Sequence, residues 1–409
     1  MPLTQAREIA SASRLNNVRY AIRDLACVAD EVIAQGHKVL PLNVGDPNIF
    51  DFQTPPHIIE AVAKAMRDGK NGYAPSPGIP EALAAIRGEA ARKGITSVRD
   101  VFVTSGVSET VDLCLAALVN PGEDVLTPKP DYPLYSAVLC KLGVALNAYD
   151  LAENDAWQPD LADIERKLTP RTRAIVLINP NNPTGSLCTR QMLEKIAELA
   201  RRHNLIVFAD EIYDKLILDR DSQGNDTPHI AFAAVAPDVP CVTFGGMSKN
   251  YLVPGWRIGW GIVSGDAAAV KTYTEGVHRL LRARLCANHP EQYSIKPALE
   301  GPQDHLLEVK RKLRSRRDLT QKWCESTPRV SCVAPRGAFY AFPRIDIPES
   351  DEVFVKELIR QKYVMVVHGS GFGQKPGTQH FRIVFLPDEQ TLTKAYAGIA
   401  EFIQERYGT

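Results

Sequence analysis

The stretch Cys241-Val-Thr-Phe-Gly-Gly-Met-Ser-Lys-Asn-Tyr-Leu-Val-Pro-Gly-Trp-Arg-Ile-Gly-Trp260 decides how the rest of the chain is read. Its opening run is apolar enough for a buried strand, and Gly245-Gly246 is expected to break that strand. Lys249 then falls in the loop, with Arg257 eight positions behind it. A lysine at an apolar, glycine-rich strand end can be desolvated. Desolvation disfavours the ammonium form and leaves a neutral amine able to form a Schiff base with an aldehyde. The planar fork of a nearby arginine suits a phosphate. An aldehyde that carries a phosphate describes pyridoxal phosphate. Taken alone, a Ser-Lys pair is most often a solvated loop lysine beside a structural arginine, so the spacing gains meaning only from other segments.

Composition narrows the setting. At 409 residues the chain can hold two domains and a large core. Lys+Arg and Asp+Glu balance at 48 each, which gives no electrostatic reason to expect nucleic acid or a membrane surface as partner. The basic run Lys310 to Arg317 sits in a helical pattern, Asp304 to Trp323, and reads as a solvated helix face. The 8 cysteines show no CxxC pair, the N-terminus no signal peptide, and no apolar run reaches membrane-spanning length. A reducing cytoplasm is the expected location.

Outward from the opening stretch, strands and helices alternate. Short apolar strands are predicted at Lys38–Val44, Asp100–Thr104, Asp124–Thr127, Ala174–Ile178 and Leu205–Ala209, with amphipathic helices between them. Continuous apolar strands separated by such helices indicate an α/β fold with a mainly parallel sheet covered on both faces. A mixed segment after Pro302 fits a smaller α+β domain. The expected division is an arm over 1–18, a large domain over 50–300, and a small domain from 19–49 and 301–409.

In such sheets the ligand lies at the carboxyl ends of the strands, and every polar motif falls there. Asn179-Pro-Asn-Asn-Pro-Thr-Gly185 follows a strand, where its prolines are expected to fix an extended loop. Asp210 ends another strand, with Tyr213 three residues on. It can cap the next helix, or serve as the buried carboxylate that keeps a pyridinium nitrogen protonated. Ser105-Gly-Val-Ser108 before a helix offers free N–H groups and the helix dipole to a phosphate.

With these segments together, the chain resembles the class I/II aminotransferases of pyridoxal-phosphate fold type I, nearest their alanine branch. The resemblance runs through Tyr20-Ala-Ile-Arg-Asp24, Leu42-Asn-Val-Gly-Asp-Pro47, Pro130-Asp-Tyr-Pro-Leu134, Asn179 to Gly185, Ala209-Asp-Glu-Ile-Tyr213, Ser248-Lys249 with Arg257, Arg336-Gly-Ala-Phe-Tyr340 and His380-Phe-Arg-Ile-Val384. It implies a large domain with a mainly parallel, seven-stranded type of sheet plus a smaller α+β domain. Lys249 would be the Schiff-base lysine and proton shuttle, Asp210 the partner of the ring nitrogen, and Asn182 and Tyr213 the partners of the ring's phenolic oxygen. Tyr132 would stack on the ring, where the wider family often has tryptophan. Arg257, Val107 and Ser108 would hold the phosphate, Ser248 would be a further cofactor-binding residue, and Tyr73 would reach the phosphate from a partner subunit in a homodimer. Gly246 stands where the aspartate enzymes carry a phosphate-binding serine. Arg382 would clamp the substrate α-carboxylate, with Gly45, Asn182 and Tyr132 in the same pocket and Tyr20 and Arg23 near the side chain or a second carboxylate. No equivalent of the distal arginine used for dicarboxylates is evident, which favours alanine over aspartate, with 2-oxoglutarate as acceptor.

Other chemistries do not fit. Gly369-Ser-Gly-Phe-Gly373 is not a dinucleotide fingerprint, the histidines lack metal-ligand spacing, and no nucleophile elbow occurs. A transaminase for another amino acid, and a lyase or synthase on the same fold, remain open. A DNA-binding regulator built on this fold would need length and basic charge that the chain lacks.

Overall fold

The computed structural model describes residues 9–18 and 25–408. A short strand, β1 (Leu40–Pro41), precedes the main sheet. That sheet comprises β2 (Val98–Thr104), β3 (Asp124–Lys129), β4 (Ala145–Ala152), β5 (Gln158–Pro159), β6 (Thr172–Ile178), β7 (Ile206–Asp210), β8 (Cys241–Gly246) and β9 (Gly259–Ser264). Their spatial order is β2-β9-β8-β7-β6-β3-β4-β5. The pairs among β8, β7, β6, β3 and β4 are parallel, whereas β9 runs antiparallel between β2 and β8. The seven-stranded type expected from sequence is thus present, and the two-residue β5 adds an antiparallel edge.

Both faces of the sheet are apolar, which is why its strands read as unbroken hydrophobic runs. Val101, Ile175, Val207 and Ile262 join one core, while Phe102, Val176, Phe208 and Val263 join another on the opposite face. Successive side chains of a strand point to opposite faces, so the period of two sorts neighbours into different cores. The first core runs without a break into Phe354, Phe381, Leu392 and Phe402 of the C-terminal region.

That region contains β10 (Val330–Ser331), β11 (Tyr340–Ala341), β12 (Arg344–Ile345), β13 (Val364–Met365), β14 (Val367–His368) and β15 (Phe381–Val384). β15 lies between β11 and β14, and β1 pairs with β13. The chain around 40 therefore returns to the C-terminal elements. The long helix Asp304–Ser326 carries the basic run, with Leu306, Val309 and Leu313 buried beneath it. Among the described residues no helix is long and apolar enough to cross a membrane.

Two local expectations need correction. The strand at 241 does not break at its glycines, because Gly245 and Gly246 pair with Trp260 and Gly259 of β9. Glycine is needed there for close approach: a Cβ on Gly245 would run into the Trp260 indole. The loop after β6 is not extended. It folds into a compact turn in which Gly185 N donates to Asn181 O at 2.9 Å and Thr184 Oγ1 to Asn181 Oδ1 at 2.8 Å. The Asn181 side chain competes for the backbone and wins.

Candidate active site

A cavity of about 1000 Å³ opens at the carboxyl ends of the parallel strands. Lys249 and Ser248 enter it from the hairpin between β8 and β9, Asp210 and Tyr213 from the end of β7, and Asn182 from the loop after β6. Val107 and Ser108 open the helix Val107–Leu118, and Tyr132 follows β3. Arg257 closes the hairpin, while Gly45 and Arg382 arrive from the other side. Tyr73 is 83 % exposed and does not line this cavity. Tyr20 and Arg23 lie outside the described residues.

The Lys249 amine donates to Gly45 O at 2.8 Å. Its side chain is partly open to the cavity yet walled in by protein, and this burial lowers its pKa to about 8. Asp46 opposes that shift, and the Arg382 and Arg257 charges reinforce it. Lys249 is therefore poised to exchange a proton near neutrality.

Asp210 is buried at 5 % exposure. It accepts from Tyr135 Oη at 2.8 Å and from Ile212 N at 3.3 Å. Burial pushes its pKa up to about 6, although the Tyr135 bond pulls the other way. An ionised carboxylate held this deep calls for a cationic partner. Tyr135 was not singled out from sequence, and its place at the start of a helix was the only hint.

Behind Asp210 lies a charged cluster. Lys93 Nζ bonds Glu211 Oε2 at 2.5 Å and Asp214 Oδ2 at 3.0 Å. Asn250, next to Lys249 in sequence, donates to Asp214 Oδ1 at 2.7 Å. The cluster braces both the end of β7 and the lysine loop.

Arg382 is 1 % exposed and sits with its guanidinium 4.7 Å from the Tyr340 and Phe372 ring centres. It donates to Asn182 Oδ1 at 3.0 Å and to Asn43 O at 2.6 Å. Because the Asn182 oxygen is taken up by Arg382, the amide nitrogen is the end left to face a ligand. Tyr213 and Tyr340 share a hydroxyl contact of 2.9 Å. Tyr340, quoted from sequence only within a motif, is a lining residue that the sequence reading missed.

The residues fit a phosphorylated aldehyde. Gly106 has φ 78°, and a Cβ there would collide with the Arg257 guanidinium. Gly259 lies so close to Gly106 and Val107 N that it too must lack a side chain. These two glycines let Arg257 rest against the start of the helix Val107–Leu118. The first N–H groups of a helix have no partner within it, so guanidinium and helix terminus form one anion cradle. A serine at Gly246 would be crowded, since its Cβ would lie 3.0 Å from both Ile212 Cδ1 and Ile258 O.

Known proteins are similar to this chain along nearly its whole length. The family model described as aminotransferase class I and II matches residues 37–399. The glutamate-pyruvate aminotransferase AlaA of Escherichia coli K12 is 39% identical over 404 residues, covering 97% of this chain and 98% of that protein. An alanine aminotransferase of Mycobacterium tuberculosis H37Rv is 39% identical over 411 residues, covering 97% and 93%. The solved alanine aminotransferase of Pyrococcus furiosus superposes with a TM-score of 0.92 at 39% identity, over 97% of this chain and 100% of that one. A cavity built from these residues, on this sheet, in a chain matched along nearly its whole length, leads to one conclusion: the protein belongs to the class I and II aminotransferases.

Proposed function

We propose that the protein moves the amino group of L-alanine to 2-oxoglutarate, giving pyruvate and L-glutamate in a ping-pong cycle. The observation that carries this reading is the charge inventory of the cavity. Among the described residues, its lining cations are Lys249, Arg257 and Arg382. One amine serves an aldehyde, one guanidinium a phosphate and one an α-carboxylate. Among the described residues no further lining cation is left for a side-chain carboxylate, which favours a small neutral donor. Arg23 and Tyr20 are the residues we assign to the second carboxylate of the glutamate pair. Relatives named for glutamate–pyruvate and alanine transfer support the same substrates.

The family's cofactor, pyridoxal phosphate, supplies a ring that accepts the electron pair left when a substrate Cα loses its proton. Lys249 would hold the aldehyde and would take and return that proton. Asp210, ionised above about pH 6, would keep the ring nitrogen protonated. Asn182 and Tyr213 would serve the phenolic oxygen, and Tyr132 the ring face. Arg257 and the Val107 and Ser108 N–H groups would hold the phosphate, with Ser248 beside the cofactor. Arg382 fixes the α-carboxylate, with the Gly45 backbone lining the pocket, so that the Cα–H bond faces the lysine.

We assign a large domain to 50–300 and a small one to 19–49 and 301–409, with an arm over 1–18. A homodimer is the favoured assembly, because an exposed Tyr73 beside Gly72 suits a reach into a neighbour's phosphate site. Free thiols at all eight cysteines suit a reducing cytoplasm.

The test is the visible absorption of the protein supplied with cofactor, before and after L-alanine. Bleaching by alanine and recovery on adding 2-oxoglutarate is the expected result. A band that alanine leaves in place would redirect the search to another amino acid, and the absence of any band would remove the cofactor assignment.

A further inference from the structure

Tyr340 occupies a junction that the proposed mechanism does not use. Its hydroxyl lies 2.9 Å from that of Tyr213, and the two rings meet edge to face at 5.7 Å. The same ring faces the Arg382 guanidinium at 4.7 Å. Tyr340 and Tyr213 are 2 % and 4 % exposed. A Cβ on Gly45, whose carbonyl accepts from Lys249, would strike the Tyr340 hydroxyl, so that glycine lets the phenol reach this place. One side chain thus touches the groups assigned to cofactor and to substrate.

A phenol carries one proton. If Tyr213 is to donate to the cofactor's phenolic oxygen, it cannot also donate to Tyr340, and the direction of the shared bond is decided. Resting on the function proposed above, we infer that Tyr340 is a positioning residue: it donates its O–H to Tyr213, committing the Tyr213 proton to the cofactor, and presents its ring face to Arg382. A donor chain polarises its inner member, so the Tyr213 bond to an anionic oxygen is stronger than Tyr213 alone would make. The ring face adds a cation–π contact that holds Arg382 in its clamping pose. The two duties reside in different atoms and can be separated by substitution.

Among the described residues, charged and titratable groups face the pair from several elements, Arg382 lying against the Tyr340 ring. Tyr213 faces Tyr340, Tyr132 and Asp210, and Lys249 faces Asp46, Arg382 and Arg257. Burial keeps the Tyr213 phenol neutral well beyond the ordinary tyrosine range.

The experiment is a pH titration of the visible cofactor band of the loaded holoenzyme, for wild type, Tyr340→Phe, Tyr213→Phe and the double variant, with KM measured alongside. Tyr340→Phe keeps the ring and removes one oxygen. Its titration midpoint should rise by about half a pH unit, because the anionic oxygen is less well stabilised. Tyr213→Phe should raise it further, and the double variant should match Tyr213→Phe alone. KM for L-alanine should change less than about twofold in Tyr340→Phe and rise about tenfold in Tyr340→Leu, which loses the ring face. An unshifted midpoint in Tyr340→Phe, or additive shifts in the double variant, would overturn the inference while leaving the proposed function intact. A wild type that shows no visible cofactor band would instead overturn the proposed function itself.

Discussion

Arg382 Nη1 donates to the Asn182 side-chain oxygen at 3.0 Å, joining β15 to the loop after β6 across 200 positions of sequence. The residue assigned to the substrate carboxylate and one assigned to the cofactor are therefore a single hydrogen-bonded unit. Truncating one partner of a buried charged hydrogen bond costs about 2–5 kcal/mol. Arg382→Ala should accordingly raise KM at least about 30-fold for every amino acid tested, and Arg382→Lys should recover only part of this, having lost the fork. Steady-state kinetics over several donors checks it. An effect confined to one donor would mean that Arg382 reads side chains.

Lys249→Ala should lower turnover by at least about 10³-fold, because it removes both the Schiff-base amine and the proton carrier. Circular dichroism should remain that of the wild type. Sustained transamination by this variant would end the mechanistic account.

The same lysine sets a stability window. Its pKa falls from 10.5 to about 8 in the folded chain, so between these values the unfolded chain binds more protons. Stability of the cofactor-free protein should rise with pH across that window, by about 1–3 kcal/mol, since the burden of a buried ammonium is fully present below pH 8 and gone above 10.5. Urea denaturation of wild type against Lys249→Met isolates the contribution. A flat difference between the two would refute it.

Asp210 runs in the opposite sense. Its pKa is raised from 3.8 to about 6, so the folded chain holds the extra proton, and stability is lost as pH climbs between those values. Asp210→Asn should make the cofactor-free protein about 1–2 kcal/mol more stable above pH 6, with the gap closing towards pH 4. It should also cut activity at least about 10²-fold. Stability gained and activity lost together would mark a carboxylate kept for chemistry at the expense of the fold.

Gly106→Ala tests the anion cradle. A side chain at φ 78° is strained and would displace the Arg257 guanidinium. We expect a destabilisation of about 1–2 kcal/mol and a cofactor dissociation constant at least about tenfold higher, measured by fluorescence titration. Unaltered cofactor affinity would separate Arg257 from the phosphate.

Lys93→Met probes the cluster behind Asp210. It would leave Glu211, 1 % exposed, and Asp214 without their shared cation. Burial of an uncompensated charge predicts a loss of about 3–5 kcal/mol, read as a lower denaturant midpoint. A change below 1 kcal/mol would show that the two carboxylates are neutralised otherwise.

The parallel strands and the polar residues at their ends were legible because a doubly buried strand is written as a hydrophobic run that stops where chemistry starts. Asp210 after Ile206–Ala209 and Asn182 after Thr172–Ile178 are of this kind. The antiparallel β9 was not legible. Its Gly259, Gly261 and neighbours look like loop until Gly106 and Phe102 are packed against them. Gly245-Gly246 misled for the same reason, since a glycine that admits a neighbour and one that ends a strand are identical in sequence. Tyr135 and Tyr340 were missed because their partners, Asp210 and Tyr213, lie 75 and 127 positions away. Nothing local distinguishes such a tyrosine from one that fills a core.

The hairpin between β8 and β9 carries Lys249 near its start and Arg257 near its end, and both flanking strands are laddered into the sheet. The residues assigned as covalent anchor and phosphate anchor thus ride on one short length of backbone. Their spacing is set by that one hairpin and by the two strands that ladder it into the sheet, like two hooks on a single beam. A change elsewhere that leaves these ladders intact would reshape the substrate side of the cavity without pulling the two hooks apart.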